Sequence, residues 1–198
     1  VDIHKATAAA MFRKTPDDVT SNDRSNAKAI NYGIMYGMGP RRLSQTTGTS
    51  MNEAKEFIEA YFTGFPNIKG YLEDTVEFAR KHEFSKTITG RRRPINGLDD
   101  SNGMIKSAAE NAAKNSPIQG SAADLIKVAM IKLDKIIETS GLSTKMLLQV
   151  HDELVFECPK NELDRVLPLI KSSMEDALKL NVPITVDIDS GNNWLEAH

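Results

Sequence analysis

Four residues with complementary side chains recur at every fourth position: Arg24, Lys28, Tyr32 and Tyr36. Each step of four residues turns an α-helix by roughly 400°, so on a helix these side chains form one slowly winding stripe about 18 Å long. Cations at one end suit a phosphate chain, and an aromatic ring at the other suits a base or sugar. The spacing indicates a nucleoside triphosphate site, but it is equally typical of a solvated helix whose tyrosines pack into a core.

Two adjacent acids, Asp152 and Glu153, interrupt the apolar segment 145–157. The β-rich runs on either side predict an antiparallel hairpin with these acids and His151 at its polar tip. Carboxylate oxygens are ligands that Mg²⁺ prefers, and two-metal phosphoryl transfer uses them to hold both ions. At least one further carboxylate must then come from elsewhere. Acids are also common in turns for structural reasons, so the pair alone leaves both interpretations open.

Three long amides, Asn111, Asn115 and Gln119, recur every four residues on a predicted helix. Such amides can bind the minor-groove acceptors that every base pair presents. They can equally cap a break in the helix at Pro117, so the pattern leaves two alternatives.

A basic loop follows Gly90, where Arg91, Arg92 and Arg93 are consecutive. Such a loop can hold a phosphate backbone without recognising its sequence. The net charge of −2 argues against a nucleic-acid binder, but residues 80–106 carry seven basic and three acidic residues. Residues 157–198 carry four basic and eight acidic ones. The middle of the chain can therefore face an anion while the end faces water.

The elements that position these residues are mostly helical in the first half. Four helices are predicted before the basic loop, at 3–13, 21–38, 51–62 and 67–82. Residues 21–23 offer N-caps for the second of them. Further elements are a strand pair within 83–95, a helical stretch 103–138 broken at 115–117 and Gly120, the hairpin, an amphipathic helix 160–180 bent or restarted at Pro168, and a final strand 183–189. The order predicts an α+β fold with a boundary near residue 105.

Length and composition fit one large or two small globular domains, at 198 residues. No apolar run has the length of a membrane helix. The single cysteine, Cys158, excludes an internal disulfide and predicts a reducing, cytoplasmic environment. A first residue of Val1 rather than Met suggests a piece of a longer protein.

Taken together, the motifs resemble those of the family A DNA polymerases, the bacterial DNA polymerase I type. RSNAKAINYGIMYG (24–37) is similar to the family's nucleotide-binding helix, and QVHDELVFE (149–157) to its palm hairpin. SPIQGSAADLIKVAM (116–130), TGRRR (89–93) and the ending SGNNWLEAH also match. The resemblance covers essentially the whole chain, in order.

The resemblance implies dNTP addition to a primer 3′-OH, with roles for the residues of the stripe. Arg24 and Lys28 would bind the triphosphate and offset its developing charge, and His4 would reach the same phosphates. Tyr32 would stack on the base and sugar. Most bacterial members have Phe there, and the hydroxyl implies weaker discrimination against dideoxynucleotides. Tyr36 would lie at the hinge of the fingers beside the template.

For the metal site, the resemblance implies that Asp152 is a Mg²⁺ ligand and Glu153 a supporting acid, with two ions in the complete enzyme. His151, Gln119 and Asn115 would contact the primer terminus or the minor groove.

The basic loop, with Arg91 and Arg92, would follow the DNA backbone. Asn111 stands where the family usually has Arg, so one minor-groove contact differs.

The family's first metal-binding aspartate lies in a motif upstream of the segment that matches Val1, and this chain does not carry it. The resemblance therefore implies helical fingers (1–105) and the C-terminal part of an antiparallel-sheet palm (106–198). Expected partners are primer–template DNA, dNTPs and the rest of the polymerase chain (thumb and N-terminal palm), in a monomer with no membrane association. The isolated chain is expected to be inactive. The alternative is a stand-alone, non-catalytic nucleic-acid-binding remnant of a polymerase.

Overall fold

The computed structural model describes residues 2–197. Its helices are α1 (Ile3–Phe12), α2 (Ser21–Met35), α3 (Pro40–Thr47), α4 (Met51–Gly64), α5 (Pro66–His82), α6 (Gly103–Thr139) and α7 (Leu163–Glu175). Its strands form two antiparallel pairs, β1 (Phe84–Lys86) with β2 (Arg92–Pro94), and β3 (Lys145–Val150) with β4 (Glu153–Glu157). The predicted α+β class is confirmed.

The chain divides into two compact units, residues 1–118 and 119–198, and the division falls within α6. This division into compact units does not test the predicted functional division into fingers (1–105) and palm (106–198), which stays a prediction.

Helix α2, which carries the predicted stripe, begins with a capping box. The Thr20 hydroxyl accepts from the Asp23 amide at 3.1 Å, and the Asp23 carboxylate accepts from the Thr20 amide at 3.0 Å. The cap is therefore Thr20, not a residue within 21–23 as predicted. The helix ends at Met35 rather than at 38, because the chain turns at Gly37, where φ is +86°.

Helix α3, which follows directly, was not predicted from the sequence. Pro40 occupies its first turn, where a missing N–H costs nothing, and Gly48 ends it with φ +70°. Leu43 of α3 is buried in one core cluster with Ile30 and Ile34 of α2 and with Ala54 and Tyr61 of α4. This core fixes the buried face of α2 and thereby its outward face.

Helix α6 is continuous, so the predicted break at 115–117 and Gly120 is wrong. A proline inside a helix removes the hydrogen bond to the carbonyl four residues earlier. Here that carbonyl belongs to Ala113, and it accepts from the hydroxyl of Ser85 on β1 at 3.2 Å. Because Ser85 satisfies the carbonyl that Pro117 leaves without a donor, the helix does not have to break there.

In residues 119–198, the core consists of one face of α6 against one face of α7, with members Ile126, Ala129, Leu133, Val166, Ile170 and Met174. Met146, Leu154 and Phe156 of the β3–β4 hairpin pack against it. Helix α7 is shorter than the predicted 160–180, and it is not interrupted at Pro168. That proline is the sixth residue of α7, and its missing N–H removes the bond to the carbonyl of Asp164.

The predicted final strand at 183–189 is wrong, since the segment has no strand pairing. The amide of Val186 donates instead to the carboxylate of Glu175 at 3.1 Å. Val186 and Ile188 still pack against the core. Thr185, Asp187 and Asp189, which alternate with them, are exposed.

Candidate functional site

The stripe of α2 faces outward. Arg24, Lys28 and Tyr32 are exposed, whereas Ala27, Ile30 and Ile34 are almost completely buried. Tyr32 retains an exposed fraction of 43%, which excludes the alternative that it is a core tyrosine. A ligand lying along this helix would meet two cations and then an aromatic ring.

Three rings gather at the apolar end of the stripe. Tyr36, at the C-cap of α2, stacks on Tyr32 with ring centroids 6.4 Å apart and an interplanar angle of 14°. His4 of α1 also contacts Tyr32, with ring centroids 5.7 Å apart and an interplanar angle of 55°. The structure thus brings together three of the predicted nucleotide-binding residues, including His4, which spacing alone could not assign.

Arg24 is held by an acid that the sequence analysis did not single out. Its Nε donates to Asp2 Oδ2 at 2.7 Å, while Asp2 Oδ1 caps α1 by accepting the amides of His4 and Lys5 at 3.0 Å. The hydrogen bond from Arg24, with those amides, lowers the pKa of Asp2 to about 2. The clue in the sequence was an acid directly before a helix start.

Lys28 differs from Arg24, since it forms no ion pair with any residue between 2 and 197. Both cations are exposed, so an incoming polyanion would compete with Asp2 for Arg24 but would meet Lys28 directly.

The basic loop lies on the β1–β2 hairpin. Arg92 pairs with Lys86 across the strands, and its guanidinium lies over the Phe84 ring at 4.6 Å. Arg93 donates to the hydroxyl of Ser116 on α6 at 3.1 Å. Ring stacking thus orders Arg92 while leaving it exposed, and Arg91 is exposed beside it.

The amides Asn111, Asn115 and Gln119 all lie on α6, with the first two in residues 1–118. Asn111 packs so closely against Gly37 that a Cβ there would lie 1.9 Å from its Oδ1. The Oδ1 of Asn115 is buried and has no hydrogen-bond partner in the described part of the chain. Because α6 is not broken at Pro117, these amides do not cap a break.

The β3–β4 hairpin turns through His151 and Asp152, and Glu153 pairs with Val150 as the first residue of β4. Glu153 therefore lies in β4 and not at the tip of the hairpin, where the sequence predicted it. His151 takes a left-handed conformation, with φ +55°, and Asp152 is exposed beside it. The tip thus presents one carboxylate to solvent, with a second directly after it.

Glu153 is held from the C-terminal segment, a contact that sequence reasoning missed. Trp194 donates its indole N–H to Glu153 Oε1 at 3.3 Å. Trp194 is itself presented by a tight turn in which Asn192 and Asn193 donate to the Glu196 carboxylate.

Asp152 and Glu153 have the oxygen donors that suit Mg²⁺. Within residues 2–197, however, no group of three or more His, Cys, Asp or Glu side chains could hold a metal ion. Two adjacent carboxylates are too few to fill the octahedral shell of Mg²⁺. A metal bound here needs ligands from outside this pair.

The candidate residues fall into two sets. His4, the α2 stripe, the basic loop and Asn115 belong to residues 1–118, while Gln119 and the hairpin residues 151–153 belong to residues 119–198. Each set is locally ordered by its own contacts. No helix in the described part of the chain is long and apolar enough to cross a membrane.

Comparison with known proteins gives a consistent result. The family described as DNA polymerase family A matches residues 1–196. DNA polymerase I of Streptococcus pneumoniae is 49% identical over 197 residues, covering 99% of this chain and 22% of that protein. DNA polymerase I of Bacillus subtilis is 45% identical over 197 residues, covering 100% of this chain and 22% of that protein.

A solved structure is also similar, the POL domain of Pol1 from M. smegmatis in complex with DNA primer-template and dNTP. It matches with a TM-score of 0.92 and 43% identity, over 98% of this chain and 34% of that chain. The chain thus spans 22% of the length of these curated relatives.

Proposed function

Because the chain belongs to DNA polymerase family A, we propose that it forms the part of a DNA-directed DNA polymerase that binds the incoming dNTP and supplies one side of the metal site. The reaction is template-directed addition of a dNTP to a primer 3′-OH with release of pyrophosphate. The observation that carries this proposal is the exposed α2 stripe, with two cations at one end and the His4–Tyr32–Tyr36 rings at the other. The similar M. smegmatis protein was solved with DNA primer-template and dNTP.

In this proposal, Arg24 and Lys28 bind the triphosphate and offset the charge that develops on it. Arg24 exchanges Asp2 for a phosphate oxygen, whereas Lys28 has no ion pair within residues 2–197 to give up. Tyr32 stacks on the base and sugar, and Tyr36 supports its ring from behind. His4 donates to the same phosphates from the side of α1.

At the hairpin, Asp152 is the metal-ligand carboxylate and Glu153 the supporting acid, for two Mg²⁺ ions in the complete enzyme. When bound, Mg²⁺ supplies activation of the 3′ oxygen and stabilisation of the leaving pyrophosphate. The reversal of the chain at His151 exposes Asp152, and the Trp194 indole holds Glu153 at the start of β4. In this proposal, His151 contacts the primer terminus.

DNA contacts belong to the basic loop and the amides of α6. Arg91 and Arg92 bind backbone phosphates, which positions a duplex without recognising its sequence. Asn115 and Gln119 contact the minor groove, where an amide N–H₂ can donate to the acceptors that every base pair presents.

The rest of a polymerase chain, with a thumb and an N-terminal palm, is a required partner in this proposal, and the complete enzyme acts as a monomer. The isolated 198-residue chain does not polymerise, because the two adjacent carboxylates cannot complete a two-metal site. The expected cytoplasmic location stays a prediction.

A chimera tests the proposal. The segment of Streptococcus pneumoniae DNA polymerase I that matches this chain is replaced by the 198-residue sequence, and primer extension is measured. We expect extension by the chimera, near-complete loss with Asp152→Ala, and a severe loss of kcat or rise in dNTP KM with Lys28→Ala. Lys55→Ala, at an exposed lysine of α4, is the matched control.

Two results would count against the proposal. A folded chimera that binds primer–template but does not extend the primer would favour the non-catalytic binding remnant. Extension by the 198-residue chain alone, abolished by Asp152→Ala, would overturn its inactivity.

A further inference from the structure

A buried polar network lies under the exposed rings, where α1 packs against α2. Asn31 is 3% exposed and Thr7 is 7% exposed. Asn31 lies on the buried side of α2, where its neighbours Ala27, Ile30 and Ile34 are apolar. A buried amide is costly unless it is hydrogen-bonded, so its partners define what it does.

The donors and acceptors of this network follow from its distances. Asn31 Nδ2 carries two protons and lies 3.0 Å from Thr7 Oγ1 and 3.0 Å from His4 Nδ1. The Thr7 hydroxyl has one proton and two acceptors within hydrogen-bond distance, the Ile3 carbonyl at 2.8 Å and Asn31 Oδ1 at 3.1 Å, of which the carbonyl is the nearer. Thr7 therefore donates to Ile3 and accepts from Asn31, which leaves the second amide proton for His4.

This assignment fixes the tautomer of His4. An Nδ1 that accepts a hydrogen bond carries no proton, so the neutral imidazole holds its proton on Nε2. No hydrogen bond to Nε2 is formed within residues 2–197. His4 stands beside Tyr32 with ring centroids 5.7 Å apart, so the ring that carries this remaining donor lies next to the exposed stripe.

We propose that Asn31, braced by Thr7, is a positioning residue that holds His4 as the Nε2–H tautomer, ready to donate to a phosphate oxygen of the incoming nucleotide. The proposal rests on the proposed function for its ligand, but the tautomer itself does not. Asn31 touches no substrate and acts through His4.

The tautomer is measured first, on the 198-residue chain, by long-range ¹H–¹⁵N NMR at roughly pH 8, above the usual histidine pKa. His4→Gln identifies the His4 signals among the four histidines. We expect an unprotonated Nδ1 and a protonated Nε2. A native His4 that is protonated on Nδ1 would overturn the proposal.

Variants then test the cause. Asn31→Asp keeps the shape but can only accept, so it should move the proton to Nδ1. Thr7→Val should release the amide and give a mixture of tautomers, whereas Thr7→Ser should restore the native one. Asn26→Asp, at an exposed position of α2, should change nothing. An unchanged tautomer in both Asn31→Asp and Thr7→Val would contradict the assignment.

Kinetics of the polymerase chimera test the consequence. Loss of one hydrogen bond to a charged group should raise the dNTP KM roughly tenfold in Asn31→Asp, with kcat changed little. In a His4→Gln background, the same Asn31 change should have no further effect on KM. An equal effect in both backgrounds would mean that Asn31 is merely structural.

The NMR and kinetic measurements distinguish failure of the positioning proposal from failure of the proposed nucleotide-binding role. If His4→Gln leaves the dNTP KM unchanged while the tautomer responds to Asn31, the role proposed for His4 in nucleotide binding fails and the positioning of its ring stands. If the tautomer does not respond, the positioning proposal itself fails.

Discussion

The hydroxyl of Ser85 donates a 3.2 Å hydrogen bond to the carbonyl oxygen of Ala113. Ala113 lies four residues before Pro117, whose nitrogen has no proton for that carbonyl. Ser85 is 1% exposed and Ala113 is fully buried, so the carbonyl would otherwise be a buried acceptor without a partner. A side chain from β1 thus replaces the bond that the proline removes, and α6 continues as one helix.

Ser85→Ala should therefore lower the free energy of unfolding by about 1–3 kcal/mol, the cost of leaving a buried acceptor unpaired. In a Pro117→Ala background the loss should be smaller, because the amide of residue 117 can then bond Ala113. Urea denaturation of the 198-residue chain measures all four members of this cycle. Ser101→Ala, at an exposed serine, is the control, and an equal loss in both backgrounds would show that the two residues are not coupled.

Local patterns predicted most of the fold and the outward face of the site. Helix spacing placed Arg24 and Tyr32 on one side of α2, because helix geometry is fixed by neighbours in the sequence. The break at Pro117 was predicted wrongly, since the compensating Ser85 is remote in sequence. For the same reason, the spacing of residues on α2 gave no indication that Asn31 would bond to α1.

Asp23 should make the stability of the chain sensitive to acid. Hydrogen bonds from Lys14 Nζ, at 2.6 Å, and from Thr20 lower its pKa to about 2, from an unperturbed 3.8. A carboxyl whose folded pKa is depressed contributes stability that is present above the unfolded value and is lost as the pH falls through the folded value. Asp23→Asn should thus be less stable than the parent at neutral pH, and the difference should disappear as the pH falls from 3.8 to about 2.

Urea denaturation across that pH range measures this difference. Asp17→Asn removes a carboxylate whose side chain is fully exposed, and it should change little at any pH. A difference between Asp23→Asn and the parent that persists at the acid end would mean that charge is not the cause.

Tyr32→Phe in the chimera should reduce incorporation of dideoxynucleotides. The phenol hydroxyl is the only group removed, and it can form a hydrogen bond in place of the sugar hydroxyl that a dideoxynucleotide lacks. The ratio of kcat/KM for dNTP to that for ddNTP measures the effect. Tyr71→Phe, at an exposed tyrosine of α5, is the control and should leave the ratio unchanged. An unaltered ratio in Tyr32→Phe would contradict the role assigned to Tyr32.

Arg92→Gln should weaken binding of a primer–template duplex by the chimera and reduce the salt dependence of that binding. Removing one cation that binds a phosphate lowers the slope of log K against log salt by about one. The effect should be similar for duplexes of different sequence, because interactions with the backbone do not discriminate bases. Arg41→Gln, at an exposed arginine of α3, provides the comparison, and a slope equal to that of the parent would remove Arg92 from the DNA interface.

Trp194 is the one tryptophan of the chain, and its indole N–H lies 3.3 Å from Glu153 Oε1. Its fluorescence should therefore report on the hairpin carboxylates. Mn²⁺, an oxygen-binding and paramagnetic substitute for Mg²⁺, should quench it weakly in the isolated chain, since two carboxylates hold the ion loosely. Asp152→Asn should require more Mn²⁺ for the same quenching, whereas Asp187→Asn, at an exposed acid, should not. Identical titrations of the parent and Asp152→Asn would exclude Asp152 as a metal ligand in this chain.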